Sequence, residues 1–236
     1  MQEIFSPTQT ERWSQCALLN LLSREGWEPR EAGQSLLGRL AGGAFAVGTA
    51  TLHRGLMGGA SGAGLLSELL PTGQRDAAIY LQSTAERYTR AGVVLASEQL
   101  ASIQLDVKRG LERYATYTPR SGHLRDVLGV EFTIPDAGKC RVDLLSRQWG
   151  SGLIYPVDIK FKRYCKAEYL SKTVDDFLQS WQFLHNCWAV RQLHGTVAGH
   201  SHGLILVVLS PRFGVYDHMV EFAPEVLTMW EASARQ

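Results

Sequence analysis

Apolar positions along this chain first change period near residue 120. Before that point they recur at helical spacing. Ser6-Pro7-Thr8-Gln9 reads as a helix start, with Ser6 able to cap, Pro7 at the first helical position and Gln9 completing a capping box. Trp13, Cys16, Ala17 and Leu21 follow at helical intervals. Eight glycines stand between Gly42 and Gly64, a poor helix by propensity, yet Leu52 and Leu56 keep the helical interval. Glycines at that density imply that something packs closely against the helix backbone. Ile79 to Tyr114 contains no proline and reads as one or two helices.

Beyond Tyr117-Thr118-Pro119 the period becomes two. Val130-Glu131-Phe132-Thr133-Ile134 alternates as a strand and Pro135 to Gly138 reads as a turn. Cys140 to Leu145 alternates again, and Leu153 to Phe161 is a third strand. Thr173 to His194 reads as one long amphipathic helix with an apolar stripe of Val174, Phe177, Trp181, Leu184 and Trp188, stopped by Gly195. Gly203 to Ser210 is a continuous apolar strand of the kind buried on both faces. The second half is therefore β-β-β-α-β behind a run of helices. No repeat or flexible linker interrupts it, so the expectation is one α/β domain over residues 1–236, helical over 1–120 and built on a mixed sheet over 121–236.

Composition narrows the partners. The 236 residues are 45% hydrophobic and 20% charged, which is globular rather than disordered. Twenty-four Lys and Arg against 23 Asp and Glu leave +1, so a nucleic acid or membrane must be held by a local patch. Four cysteines without a CxxC, and no signal peptide, point to a reducing, cytoplasmic setting. The longest apolar run, Leu204 to Leu209, is far shorter than the ~20 residues of a membrane helix.

Candidate chemistry lies on the strands. In Val157-Asp158-Ile159-Lys160-Phe161, alternation puts Asp158 and Lys160 side by side, away from an apolar set that faces the core. Asp158 and Lys160 are expected on an exposed face. Asp143, in Arg141-Val142-Asp143-Leu144, belongs to the neighbouring strand. Two carboxylates converging from adjacent strands suit a hard divalent cation, and a lysine beside them can orient a water or meet an anionic phosphate.

This order and spacing resemble the PD-(D/E)xK nuclease superfamily, whose core is αβββαβ. The closer resemblance is to its RecB-like branch, the nuclease module of RecB, AddB and CRISPR-associated RecB-like exonucleases. Four segments within residues 6–186 carry it: Ser6 to Cys16, Gly48 to Leu56 around His53, the strands from Val130 to Asp158-Ile159-Lys160, and Gln182-Phe-Leu-His-Asn186. The resemblance implies His53, Asp143 and Asp158 as metal ligands, with the Ile159 carbonyl as a further oxygen. It implies Lys160 as the catalytic lysine and Glu131 as a holder of a second metal or its water. Gln182 would bind the nucleic-acid backbone. The implied cofactor is Mg²⁺ or Mn²⁺, and the implied activity is DNA hydrolysis, with exonucleolytic action expected. A helicase or a single-strand annealing protein is an implied partner. Asn186, or His185 in a looser frame, stands where the family has a tyrosine, and the cysteine spacing does not fit the iron–sulfur cluster of some members.

Other readings stay open beside this one. His53 also fits a buried, hydrogen-bonded histidine, and Glu131 also fits a surface residue on an edge strand. The glycines up to Gly64 lack the Gly-Lys-Ser/Thr of a phosphate loop. His200 and His202, with His194, read better as a polar turn than as a metal site. Residues 141–172 hold seven Lys or Arg against three Asp or Glu, and Lys162, Arg163, Tyr164 and Tyr169 interleave charge with aromatic rings, which suits a nucleic-acid backbone as well as a solvated loop. A non-catalytic binding or assembly protein on the same scaffold, and an RNA-processing nuclease, are the alternatives.

Overall fold

A computed structural model of the chain describes residues 33–57, 63–124, 126–134, 140–148, 151–163, 170–178, 180–195, 201–210 and 214–234. The expected first helix around Ser6 and Cys16 lies outside these residues, as do Tyr164, Tyr169 and His200.

Three helices come first: α1 (Gly33–Met57), α2 (Ala63–Arg90) and α3 (Ser97–Tyr117). The glycine-rich stretch of α1 is helical because neighbours do approach its backbone. A methyl group on Gly48 would sit 2.6 Å from Leu111 of α3, and one on Gly73 of α2 would sit 2.9 Å from the Gly48 carbonyl oxygen. α2 begins 16 residues before Ile79, the start expected from sequence, and carries Pro71 inside it. Helices usually stop at such a residue, so packing overrides propensity here. The Thr118 N–H bonds the Tyr114 carbonyl at the end of α3, and a short 3-10 turn over Thr118–Arg120 follows.

The remainder is a five-stranded sheet in chain order: β1 (Asp126–Thr133), β2 (Arg141–Arg147), β3 (Ile154–Arg163), β4 (Ser201–Ser210) and β5 (Val215–Phe222). β1, β2 and β3 run antiparallel, β4 lies parallel to β3, and β5 returns antiparallel on the far edge. Two helices, α4 (Leu170–Leu178) and α5 (Trp181–His194), make the β3-to-β4 crossover, and α6 (Pro224–Ala234) follows β5. The single helix expected over 173–194 is thus two. Ser180 separates them and caps the second by accepting from the Phe183 N–H at 3.2 Å. β5 and α6 were not anticipated. Both fall where short apolar runs carry no clear period.

Both faces of the sheet are covered. On one side Phe45, Leu52, Leu111 and Tyr114 of α1 and α3 meet Leu144, Val157, Phe161, Leu204 and Leu206. Phe45 stacks on Phe161 with ring centroids 4.6 Å apart. On the other side Phe183 and Cys187 of α5 meet Ile205, Val207, Phe222 and Leu227, and Ala189 and Val190 meet Val142 and Leu145. β4 therefore buries both faces, as its unbroken apolar run predicts. The buried edge of α5 is Phe183, Asn186, Cys187 and Val190, whereas Trp181, Leu184 and Trp188 of the expected stripe are only half-buried. No described helix is long and apolar enough to cross a membrane.

Candidate active site

The centre of the sheet contains a break in the β2–β3 ladder. Paired residues run from Arg147↔Ile154 to Leu144↔Val157 and stop there. β3 continues alongside β4 instead, from Val157↔Leu204 to Arg163↔Ser210. One residue past the last pair, the Asp143 carboxylate (Oδ2) accepts from the Ile159 N–H at 2.9 Å. A side chain thus takes the place of a main-chain acceptor where the two strands part.

β1 shares in the break. Glu131 has φ of 45°, in the left-handed region, and is the one non-glycine residue described there. It lies between the pairs Val130↔Leu144 and Phe132↔Val142. Val130 and Leu144 belong to the core under α1 and α3, whereas Phe132 and Val142 belong to the core under α5. Regular alternation would keep each strand's i and i+2 residues on one face. The two strands therefore turn over at Glu131 and Asp143, which leaves Asp143 directed sideways along the sheet toward Ile159.

Asp158 and Lys160 share a face, as alternation predicts, and the Lys160 ammonium lies 2.8 Å from Asp158 Oδ2. Among the described residues this ion pair is the contact that Oδ2, itself buried, makes. The expectation of an exposed acidic face is corrected here. Asp158 is 1% exposed, beneath α5, because helices cover both sides of the sheet. Its charge reaches the Cys187 thiol, which burial already holds well above the ordinary thiol range. Lys160 keeps 28% of its side chain exposed, and Asp143 is half-buried.

Electrostatics join the two carboxylates. Burial, then the negative charge of Asp158, pushes the Asp143 carboxyl up to about 7, against the opposing pull of the Ile159 N–H, Lys160 and Arg141. A carboxyl raised this way marks a place where positive charge is wanted, whether a proton or a cation supplies it.

His53 approaches from α1 but does not join this pair as a third ligand. Its Nε2 lies 2.7 Å from the Tyr114 hydroxyl of α3, and its Nδ1 is buried without a partner. Burial lowers its pKa to about 4, so the ring is neutral. Tyr114 in turn is held protonated by burial and then by the nearby Asp143 charge. The order from helix to sheet is therefore imidazole, phenol, carboxylate. Tyr114 escaped the sequence reading because a lone tyrosine at a core position of a helix carries no chemical signal. Among the described residues, no group of three or more His, Cys, Asp or Glu side chains is placed to hold a metal ion.

The other expected site residues are dispersed. Glu131 pairs with Arg54, the residue after His53, on the outside of α1. Arg163 is not available to substrate as expected: it bonds Asp106 at 2.7 Å and Ser102 at 3.0 Å, with 9% of its side chain exposed, and so ties β3 to α3. Lys162 is exposed and Gln182 half-buried in the first turn of α5. Tyr164 lies outside the described residues. Asn186 is buried and accepts from the Cys140 thiol at 3.4 Å, and His185 packs its ring on Trp230.

Geometrically, Asp143 is tied to the residue after Asp158, and Lys160 lies against Asp158, where two strands of a covered mixed sheet part. No protein-family profile matches the chain, and no curated protein matches it significantly.

Proposed function

We propose that the chain is a divalent-metal-dependent nuclease hydrolysing DNA phosphodiester bonds, of the RecB-like PD-(D/E)xK type and exonucleolytic in action. The observation that carries the reading is the tie of Asp143 to the N–H of Ile159, the residue after Asp158, where β2 and β3 part, with Lys160 against Asp158. The donor set fits Mg²⁺ or Mn²⁺. Mg²⁺ keeps several waters and takes only one or two carboxylates, so two aspartates with the Ile159 carbonyl suffice without a third side chain. Such an ion, when bound, supplies charge to the scissile phosphate and acidifies a water.

The chain's own residues do the rest. The Ile159 N–H fixes the Asp143 carboxylate in the gap. Asp158 holds Lys160 beside it, and the half-exposed amine meets the phosphate or the attacking water. Tyr114, protonated and hydrogen-bonded to His53, closes the floor next to Asp143 and limits where water can stand. In this reading His53 acts through Tyr114, and Glu131 is held by Arg54 outside the reaction.

A second reading, a non-catalytic nucleic-acid-binding or assembly protein on the same scaffold, is favoured by the engagement of His53 and Glu131 elsewhere. One assay separates the two: end-labelled single- and double-stranded DNA, and RNA, with Mg²⁺, Mn²⁺ or EDTA. The nuclease reading expects metal-dependent cleavage by the wild type and none by Asp158→Asn or Lys160→Ala, with unchanged circular dichroism. Cleavage retained by either variant refutes the assignment. Binding without cleavage in every metal establishes the second reading, and preference for RNA redirects the substrate.

A further inference from the structure

A groove of about 650 Å³ lies away from Asp143 and Asp158, between the outer edge of α3 and the start of β5. Its walls carry Arg109, Arg113, Thr116, Tyr117, Arg120 and Val215. Arg109, Arg113 and Thr116 follow at four and three residues and so form one stripe of the helix. Arg109 and Arg113 stand one turn, about 6 Å, apart along the axis, and Arg120 continues the stripe in the 3-10 turn. The single acid in the lining is Glu112, which accepts from Gln74 at 3.3 Å. The opposite edge of α3 is buried on the sheet, where Gly110 lets Phe161, the neighbour of Lys160, come close.

We infer that this groove binds the backbone of single-stranded nucleic acid. The Arg109 and Arg120 guanidinium groups offer forked donors matched to phosphate oxygens, and Arg113 adds positive charge between them. The Tyr117 ring is half-buried and fixed by its hydroxyl, which donates to Asp217 at 2.6 Å. With Val215 it provides an apolar surface on which a base can stack. That surface favours a nucleic acid over an acidic peptide, which would use the arginines but not the ring. The volume is of nucleotide scale, which favours a single strand over a duplex. The inference takes its polymer class from the nuclease reading, but it concerns different residues and is tested without turnover.

The test is fluorescence anisotropy of a labelled oligothymidylate in EDTA across a salt series, on the full chain. The double variant Arg109→Ala/Arg120→Ala should weaken binding by about tenfold or more. It should also flatten the log–log salt slope by about 1.4, since each single-strand phosphate contact contributes about 0.7. Arg109→Lys/Arg120→Lys should restore the slope. Tyr117→Leu should weaken binding by about tenfold with the slope kept, the mark of a lost stacking contact. Wild-type affinity and slope in the alanine double variant overturn the inference, as does displacement of the oligonucleotide by a glutamate peptide of equal charge at equal concentration. If cleavage is absent while the slope changes as stated, the groove stands and the nuclease reading falls. If cleavage is present while the slope is unchanged, the reverse holds.

Discussion

Asp143→Asn isolates the electrostatic heart of the site. The asparagine carbonyl can still accept from the Ile159 N–H, 2.9 Å away in the wild type, so the splayed strands keep their tie. What disappears is a negative charge facing Asp158. A carboxyl moved from 3.8 to about 7 would cost about 4 kcal/mol when ionised if wholly shielded from water. Asp143 is only half-buried, and solvent screening reduces that to about 1–2 kcal/mol. In a chain of this size the gain corresponds to about 2–8 °C in Tm. The sign follows from linkage. A carboxyl raised in the folded state favours folding below its unfolded value of 3.8, and that contribution is lost as pH rises through about 7. The variant should therefore match the wild type near pH 4 and exceed it increasingly up to pH 8. Adding Mg²⁺ should reverse the order, because a ligand of the native state stabilises the wild type and finds one carboxylate fewer in the variant. Scanning fluorimetry from pH 4 to 9, with EDTA or Mg²⁺, reads both effects. A variant less stable than the wild type at pH 8 in EDTA, or one with the full Mg²⁺ shift, refutes the reasoning.

Three further substitutions address neighbouring roles. Arg163→Met should destabilise by about 3–5 kcal/mol by taking its guanidinium partner from the buried Asp106, and Arg163→Met/Asp106→Leu should recover most of it in urea unfolding. Lowered oligonucleotide affinity at unchanged stability would instead return Arg163 to the substrate. Tyr114→Phe should cost about 1–3 kcal/mol by stranding the His53 ring nitrogen, read by the same unfolding. Glu131→Gly relieves a left-handed residue and gives up only the exposed Arg54 pair, so stability should change by less than about 1 kcal/mol and cleavage should persist. Its loss would place Glu131 in the reaction after all.

What the sequence discloses of the fold follows where period and packing agree. The three antiparallel strands, the crossover and β4 are readable because alternation and the unbroken run from Leu204 to Leu209 leave few other uses for those residues. α1 is readable only as a question, since its glycines argue against helix until Leu111 and Gly73 are seen to lie against Gly48. α2 through Pro71 is not readable, because propensity and packing oppose each other there. The division of residues 173–194 at Ser180 hides for a different reason: a cap needs only one serine.

The site divides along the same line. Asp158 and Lys160 sit at i and i+2 of a regular strand, so their contact follows from spacing alone. Asp143 does not obey that rule, because the positive φ of Glu131 marks the point where β1 and β2 exchange faces. With regular alternation Asp143 would share a face with Leu145, over the core beneath α5. The turn-over sends it into the plane of the sheet instead, where a main-chain N–H can hold it. Asp143 reaches the residue beside Asp158 because of that local departure, not because of the pattern that first suggested it. Backbone strain at Glu131 and the unclosed ladder at Leu144↔Val157 are thus two sides of one construction, which opens a covered sheet just enough for its interior charge to be reached.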